Sequence, residues 1–534
     1  MSEYTRLRTP FANCSFTPDV PSNALGPNEY NNGSNVECDV RGIKKIAGEQ
    51  EILFAIPGNV VFMDGGFRGE AVWVYIAATR EGKWYLLNAT GITNITPGVG
   101  ANPNVSLSGY TDDINITTSW VGNVFFINDT LRNPMYLLST NTEITLTSNT
   151  QWNYLPGINA TRAGFVRNYC SPNVGNIMIA GNLTEDLANG TTVNYPTTIR
   201  WSQAFANTGI PGTWMPTLSN VANEQEIPIR GPIVDGFFLG PNFYICSYWD
   251  TVVISPIAYQ NSTTPVFGVR LLNQGRGLVN NNCWANTDSN VYGVDSRDIW
   301  VFDGSNFSPL GNQKVRDYFF SNLSATYSNR MFVVNNTQKN QIEVYYPDLN
   351  SIGWCNKMLS WRYDLNLWNA PKDIANAANA CEGPKFINGA FKLASRTVTY
   401  GRGGTSSSLL VQTGIGNSFI NSQPIPALFE RNNIVLQTDK GPVPYSSKVY
   451  IHRLLPEIAG TGTVNITVGG ANSTAQAATY GQTGTVSVVT DNPWVTTQQN
   501  SFRTTSIKVA SNDATDTWNL TAMNWQASIT EDAF

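Results

Sequence analysis

Short runs of alternating apolar and polar residues, separated by turn-forming residues, dominate the first two thirds of the chain. The clearest is NVYGVDSRDIWVFDGSNFSPLG (290 to 311), which is divided by turn-forming stretches at residues 296 to 298 and at Asp303-Gly304. Period-two alternation fits a pleated strand, and Asp-Gly tolerates the positive φ that tight hairpin turns need. The same pattern recurs at residues 71 to 88, 116 to 129 and 237 to 255. Repeated hairpins of this kind predict an all-β protein with many blades or many strands.

Proline and loop-forming residues divide the chain into three expected parts. Residues 1 to 40 are predicted to form an extended arm, because four prolines and NNGS (31 to 34) prevent a sustained helix or central strand. The main β-domain is expected over residues 41 to 400, and its first hairpin turns at Arg41-Gly42. GRGGTSSS (401 to 408) is predicted to be a linker. Alternating segments between 448 and 528 then predict a β-sandwich-like domain over residues 401 to 534.

Two segments of the main domain have helical features. GNQKVRDYFFSNL (311 to 323) is predicted to be a helix in which Asn312 accepts hydrogen bonds from the first free backbone amides. Val315, Phe319 and Leu323 recur at four-residue spacing and are expected on one buried side. DIANAANA (373 to 380) is interpreted as a second helical segment.

The charge of the chain argues against a tight nucleic-acid binder. Charged residues make up 13% of the sequence, about half the usual ~25%, and the net charge is −5. Sequence-independent affinity for nucleic acid depends on many cations placed against phosphates, and no basic run here exceeds Lys44-Lys45. The surface is therefore expected to carry mainly uncharged polar groups, which allow at most a weak contact with DNA.

Cysteine usage and apolar runs favour a protein made in a reducing cytoplasm. The seven cysteines are far apart and include no C-x-x-C pair, so they are predicted to be free thiols. The first fifteen residues lack the apolar core of a signal peptide, so export by the usual route is not expected. The longest apolar runs, such as residues 71 to 78, are far shorter than the ~20 residues of a membrane helix, so no membrane span is expected.

Catalytic chemistry has little support in the sequence. His452 is the single histidine, and alternation places it on the strand face opposite Val449 and Ile451, where a solvent-side or packed role is expected. A serine triad would depend wholly on this residue, and neither H-E-x-x-H nor G-x-S-x-G is present. The sequence thus predicts a protein that is not an enzyme and has no catalytic, metal-binding or cofactor-binding residues.

Acidic residues are interpreted as elements of turns. The adjacent pair Asp112-Asp113 and the spaced pair of Asp295 and Asp298 are predicted to cap turns rather than to act as paired catalytic carboxylates. SNDATDTW (511 to 518) resembles the Asp-box of sialidases and related propellers, although Thr515 stands where that motif has glycine. The Asp-box stabilises a turn, so this likeness bears on fold and not on activity.

An ordered series of segments points to a family. The Pro-rich arm and NEYNNGSNVECDVRGIKKIAG (28 to 48) are followed by IRWSQAFANTGIPGTWMP (199 to 216), FFLGPNFYICSYWDTVVIS (237 to 255), residues 275 to 320 and IEVYYPD (342 to 348). In this order the segments resemble the tail nozzle proteins of short-tailed bacteriophages, also called tail hub or tail tubular protein B. The resemblance covers roughly residues 20 to 350.

The resemblance implies a structural protein of the virion tail, assembled in the host cytoplasm. It implies an irregular β-propeller with extra β-domains, six copies of which form a homo-hexameric ring beside the tail fibres or spikes. The ring would dock on the tail adaptor ring, retain the genomic DNA and later conduct it without binding it tightly. Tyr4, Arg6 and Arg8 are candidate adaptor-docking residues, because an extended terminus can order on binding.

Two other functions fit the sequence. A glycan-binding or glycan-cleaving tail spike or fibre is the first alternative, because exposed tryptophan and tyrosine can stack on sugar rings. An independent hydrolytic enzyme is the second. Both remain open at the level of sequence.

Overall fold

The computed structural model describes residues 5–68, 72–96, 109–122, 124–137, 152–158, 160–171, 175–207, 209–217, 219–257, 267–438, 441–473, 476–488, 494–496 and 501–531. Seven strands precede the first blade of a propeller: β1 (Thr5–Pro10), β2 (Ser15–Phe16), β3 (Glu29–Tyr30), β4 (Asn32–Ser34), β5 (Val36–Cys38), β6 (Ile43–Lys45) and β7 (Glu49–Pro57).

Five four-stranded antiparallel sheets then follow one another along the chain as blades 1 to 5. Blade 1 consists of β8 (Val60–Arg68), β9 (Val72–Thr79), β10 (Trp84–Asn88) and β11 (Gly91–Asn94). Blade 2 consists of β12 (Thr117–Val121), β13 (Val124–Asn128), β14 (Met135–Leu137) and β15 (Trp152–Tyr154). Blade 3 consists of β16 (Arg162–Ser171), β17 (Gly175–Asp186), β18 (Thr192–Trp201) and β19 (Asn223–Glu226). Blade 4 consists of β20 (Ile233–Leu239), β21 (Asn242–Ser247), β22 (Asp250–Pro256) and β23 (Phe267–Gln274), and blade 5 of β24 (Trp284–Asn286), β25 (Val291–Val294), β26 (Ile299–Phe302) and β27 (Phe307–Pro309).

The next sheet is one continuous eight-stranded sheet, and its two four-stranded halves are counted as blades 6 and 7, which gives seven blades within the described residues. Blade 6 consists of β28 (Phe332–Asn336), β29 (Gln341–Tyr346), β30 (Cys355–Arg362) and β31 (Leu367–Trp368). Blade 7 consists of β32 (Lys372–Ile387), β33 (Ala390–Arg402), β34 (Ser407–Thr413) and the early strand β7. β7 pairs with β34 in antiparallel register, Glu49 opposite Thr413 and Pro57 opposite Ser407. The strand before the first blade therefore closes the last one.

The described residues after the propeller form a β-sandwich with the N-terminal strands. These residues form β35 (Ala427–Ile434), β36 (Gln437–Thr438), β37 (Gly441–Pro442), β38 (Ser447–Thr461), β39 (Thr463–Ala471), β40 (Thr479–Ser487), β41 (Val495–Thr496), β42 (Thr504–Ser511) and β43 (Thr517–Glu531). One sheet has the order β41-β38-β43-β6-β5, with β1 also paired to β43, and the other has the order β4-β35-β42-β39-β40. A single hydrophobic core joins these sheets to blades 4, 5 and 6, so the sandwich and propeller form one body.

The predicted hairpins are confirmed, and blade 5 shows why. The turns between its strands contain carboxylates that accept hydrogen bonds from backbone amides. The Asp303 carboxylate, for example, accepts from the amides of Ser305 at 2.8 Å and Asn306 at 2.7 Å. Gly304 has a φ of 94°, which explains why glycine follows the aspartate. The all-β propeller and the C-terminal sandwich strands also agree with the alternation in the sequence. Local turn chemistry therefore marks the hairpins, whereas β25 and β26 are buried at almost every residue and do not alternate between buried and exposed positions.

The predicted N-terminal arm is instead part of the sandwich. β1 lies along β43, with Thr5 opposite Ala527, and β4 extends the second sheet through Gly33 opposite Phe429. The hairpin of β5 and β6, expected to start the main domain, also joins the sandwich sheet. The prolines do not prevent pairing, because Pro10 stands at the end of β1 and the strands β4 to β6 come after Pro27, the last proline of the segment.

The helix α1 (Arg316–Asn322) is shorter than predicted and has a different cap. Val315 and Phe319 are buried as expected. The first helical amides, those of residues 317 and 318, donate to the carboxylate of Asp19 at 2.8 and 2.7 Å, whereas Asn312 lies before the helix. The carboxylate of Asp19 in the N-terminal segment is thus the acceptor that caps the helix, in place of the predicted Asn312.

Two other sequence predictions in the last blade are wrong. Residues 373 to 380 are not helical but lie in β32, where pairing with β30 and β33 overrides the helix propensity of alanine. Residues 401 to 408 are not an interdomain linker but include the turn between β33 and β34, with Gly404 at a φ of 79°. Glycine and hydroxyl residues serve both roles, so composition alone did not separate a hairpin turn from a linker.

Candidate functional site at the propeller axis and mouth

The first strand of each blade faces the propeller axis. Side chains from six of these strands, together with Asn282 just before β24, surround a small axial cavity of about 200 Å³. Its lining residues are Phe62, Met63, Asp64, Thr118, Arg167, Asn282, Trp284, Val333, Asn379 and Ala380. A water molecule takes about 30 Å³ of liquid volume, so the cavity has room for only a few.

An ion pair between blades 3 and 4 fills the centre. The guanidinium of Arg167 donates to both carboxylate oxygens of Asp235, at 3.0 and 2.6 Å. The Asp235 side chain is fully buried and that of Arg167 is 13% exposed. Arg167 also donates to the Thr118 carbonyl at 3.0 Å and to Asn282 Oδ1 at 2.9 Å, and Trp284 Nε1 donates to Asp235 at 2.8 Å. We call these five residues the axial network, which joins blades 2, 3, 4 and 5.

A second carboxylate lies beside this network. Asp64 accepts from the Thr118 hydroxyl at 2.6 Å and from Trp120 Nε1 at 3.2 Å. Burial raises the pKa of Asp64, while these bonds and the Gly65 amide oppose the shift. Blades 1 and 2 are thus connected at the axis as well.

A repeated sequence feature places the axial carboxylates, and it was missed in the sequence. Asp64-Gly65 and Asp235-Gly236 both lie in inner strands, and each aspartate accepts the amide of its own glycine at 2.8 Å. A side-chain carbon at Gly65 would lie 2.7 Å from the Trp73 ring, and one at Gly236 would lie 2.5 Å from Phe243. The glycines therefore allow an aromatic ring of the neighbouring strand to approach closely.

Three consecutive asparagines connect blades across the face on which the inner strands begin, which we call the mouth. The side-chain amides of Asn280, Asn281 and Asn282 donate to backbone carbonyls of Met331 (3.0 Å), Gly164 (2.8 Å) and Ile116 (2.9 Å), respectively. The Met331 and Ile116 carbonyls come just before the inner strands of blades 6 and 2, respectively. The Gly164 carbonyl lies within the inner strand of blade 3. One short segment therefore contacts three separate blades.

The mouth contains a larger polar cavity of about 480 Å³ above blades 2 to 5. We call it the mouth pocket, and its lining includes Thr130, Arg162, Asn182, Asn194, Tyr248 and Asn280. A narrower cavity of about 40 Å³ adjoins it, because both are lined by Asn115, Asn280 and Asn281.

The acidic pair Asp112-Asp113 lines the narrow cavity and does not cap a turn as predicted. Asp113 accepts from Arg330 at 2.7 Å, and Asp112 lies 3.4 Å from Arg80. Arginines from other parts of the propeller reach this turn, which the local sequence does not reveal. By contrast, the predicted caps at Asp295 and Asp298 are confirmed, since they accept amides of residues 297, 298, 299 and 311.

Glu49 is a buried carboxylate with a raised pKa that lies outside both cavities. Burial raises its pKa to about 6, and the Tyr400 hydroxyl donates to it at 2.8 Å. It lies at the start of β7 and lines neither the axial cavity nor the mouth pocket. Its raised pKa thus reflects its place in the core between blade 7 and its neighbours.

The other residues singled out in the sequence have structural contacts. His452 bonds to the Ser528 hydroxyl at 2.6 Å on the strand face opposite buried Val449 and Ile451, as predicted. In the Asp-box-like turn between β42 and β43, Trp518 Nε1 donates to Ser511 at 2.9 Å. This turn connects the two sheets of the sandwich rather than two strands of a blade.

The cysteine side chains of the described structure are thiols. All seven cysteines are free; five are buried, Cys381 is half-buried and Cys170 is exposed. Among the residues that the structure describes, no group of three histidine, cysteine or acidic side chains could hold a metal ion. No helix in the described ranges is long and apolar enough to cross a membrane.

The candidate docking residues lie at the start of the sandwich. Tyr4 is outside the described residues. Arg6 is exposed on β1. The guanidinium of Arg8 pairs with both carboxylate oxygens of Glu457, at 2.8 and 2.7 Å, and this pairing lowers the pKa of Glu457 to about 2. Docking of these residues on an adaptor stays a prediction.

No family model and no curated protein matches the chain. A solved crystal structure described as the WD40 repeats of RRP9 is similar at 6% identity and a TM-score of 0.40, and the match covers 69% of this chain and 99% of that chain.

Proposed function

We propose that this chain is a structural virion protein, the distal tail nozzle of a short-tailed bacteriophage, whose copies form a ring-shaped channel for the DNA genome. The ordered segments between residues 20 and 350 carry the proposal. They correspond to the strands β3 to β6, the end of β18, and much of blades 4 to 6 with α1. The likeness therefore falls mainly on the region where propeller and sandwich pack together.

A closed propeller axis supports a channel between copies rather than within one. The axial cavity has a volume of only about 200 Å³. Duplex DNA is too large for it, because the major groove of the duplex alone is about 12 Å wide. A passage would need several subunits around it, joined by a head-to-tail interface that closes on itself. The continuous core between propeller and sandwich supports this role, because a ring needs subunits of fixed shape.

The purified protein is expected to form a ring of six copies, alone or with the tail adaptor. Native mass spectrometry would give the stoichiometry, and negative-stain imaging would show a central opening between subunits. A trimer would favour the spike or fibre alternative. Monomers alone, both with and without the adaptor, would contradict the nozzle proposal.

Duplex DNA is expected to bind weakly to the assembled protein. A near-neutral wall releases few counterions, so the duplex can slide instead of being held. Fluorescence anisotropy with a labelled duplex at ~150 mM salt should give no submicromolar Kd, and affinity should change little between 50 and 200 mM salt. A submicromolar Kd, or the 10³- to 10⁵-fold salt dependence of a protein with many phosphate contacts, would argue against a sliding channel.

A further inference from the structure

The mouth pocket has the size and polarity of a site for a small polar ligand. Its volume of about 480 Å³ lies within the range of ~300–1,000 Å³ that ligand sites occupy. Parts of blades 2, 3 and 4 and the segment before blade 5 line it, and most of the lining consists of uncharged polar side chains. No aspartate or glutamate is among the described residues that line it, which argues against a cation as its ligand.

Asparagine amides in the pocket are fixed by the fold. Asn182 donates to the Ile233 carbonyl at 3.1 Å, and Asn280 and Asn281 donate to carbonyls as described above. Asn280 is 4% exposed, and its side-chain oxygen has no hydrogen-bond partner in the described structure. A buried acceptor without a donor is costly, but this oxygen is almost wholly shielded from solvent, so the direct ligand contacts are assigned to the exposed lining residues.

One cation and one aromatic ring lie on the open side of the pocket. Arg162 is exposed and makes no ion pair with any residue that the structure describes. Tyr248, in the turn between β21 and β22, is 44% exposed. On the β17–β18 hairpin, Thr184 donates to Asn194 Oδ1 at 2.9 Å, which leaves the Asn194 amide hydrogens available as donors.

We propose that the mouth pocket binds a carboxylate-bearing saccharide. The exposed Asn194 amide would donate to sugar oxygens, and the ring of Tyr248 would stack on the apolar face of a pyranose. The planar guanidinium of Arg162 matches a carboxylate through two parallel hydrogen bonds. A neutral sugar would leave this cation unused, and a polyphosphate or nucleic acid would need more than one. This inference does not depend on the proposed ring, because a single subunit supplies all of these groups.

Isothermal titration calorimetry with tetragalacturonate, sialyllactose and neutral maltotetraose tests the proposal on the full-length protein. We expect at least one acidic probe to bind with a Kd of about 1 mM or tighter, and maltotetraose to bind at least tenfold more weakly. Arg162→Gln should weaken the acidic probe at least tenfold, because it removes a charge-assisted hydrogen bond. Tyr248→Ala should weaken it as well. Arg270→Gln, which changes an exposed arginine on β23 outside the pocket, is the matched control and should bind normally.

Four results would overturn the proposal. The first is no binding of either acidic probe at about 10 mM. The second is equal binding of maltotetraose. The third is equal weakening in Arg162→Gln and Arg270→Gln, which would indicate attraction by net charge alone. The fourth is unchanged binding in Arg162→Gln. Because both pocket residues are exposed, unchanged melting temperatures of the variants should confirm that any loss of binding is not a loss of fold.

Discussion

Replacing Arg167 with leucine is expected to lower the free energy of unfolding by about 3–5 kcal/mol. The substitution leaves the carboxylate of Asp235 fully buried without its ion-pair partner, and only Trp284 and backbone amides still donate to it. It also removes the hydrogen bonds by which Arg167 reaches Thr118 and Asn282. The loss thus affects four blades at their common axis.

Urea denaturation followed by tryptophan fluorescence would measure this effect. Arg270→Leu is the control, since that arginine is exposed on β23 and its substitution should change stability by about 0.5 kcal/mol or less. The double variant Arg167→Leu/Asp235→Leu should be less destabilised than the sum of the two single variants, because the charges are coupled. A loss below about 1 kcal/mol in Arg167→Leu would contradict the role given to the axial network.

Replacing Lys339 with methionine is expected to cost about 3 kcal/mol near neutral pH. Lys339 in blade 6 pairs at 2.6 Å with Glu37 on β5, so the pair connects the propeller to the sandwich. The Glu37 side chain is only 8% exposed, whereas Lys339 is 30% exposed, and the lower end of the range for buried pairs therefore applies. The ammonium of Lys314, which pairs with Glu29 at 3.1 Å but is 51% exposed, provides the control. Lys314→Met should cost less than about 1 kcal/mol.

The effect of Lys339→Met should depend on pH. Burial alone would raise the pKa of Glu37, but Lys339 and Lys372 overcome this effect and lower it from 4.5 to about 2. Because the native pKa is lowered, the stabilisation is complete above pH 4.5 and is lost as the pH falls through about 2. The stability difference between the native protein and Lys339→Met should shrink over that window. A difference that stays constant down to pH 2 would show that Glu37 is not the group responsible.

Contacts close in sequence were predictable, and contacts across the propeller were not. The turns at Asp295 and Asp303 lie within a few residues of the amides that they accept, so the local sequence contains the whole interaction. The pairing of Thr5 with Ala527 joins the two ends of the described chain and leaves no local trace. For the same reason the N-terminal prolines were interpreted as an arm, and the alanines of β32 as a helix.

The axial network shows the same limit at the candidate site. Arg167, Asp235 and Trp284 come from three blades, and each residue alone is an ordinary polar or aromatic position in a strand. The repeated Asp-Gly step in inner strands was a usable signal, because glycine inside a strand indicates a close approach by a neighbour. Asn280 to Asn282 are of a residue type common in loops, and nothing in the local sequence shows that their side chains contact three different blades.

The closure of blade 7 by β7 has a consequence for biosynthesis. A ribosome makes β7 before any blade, yet its partner β34 follows some 350 residues later, and β1 waits still longer for β43. Until then these early strands have unpaired backbone groups that can pair with the wrong chain. Blades 1 to 5 can each form as they emerge, whereas the last blade and the sandwich must await the synthesis of β34 and β43. Misassembly in the expressing cell should therefore concentrate at the segment from β1 to β7, the part of the nascent polypeptide that stays longest without a partner.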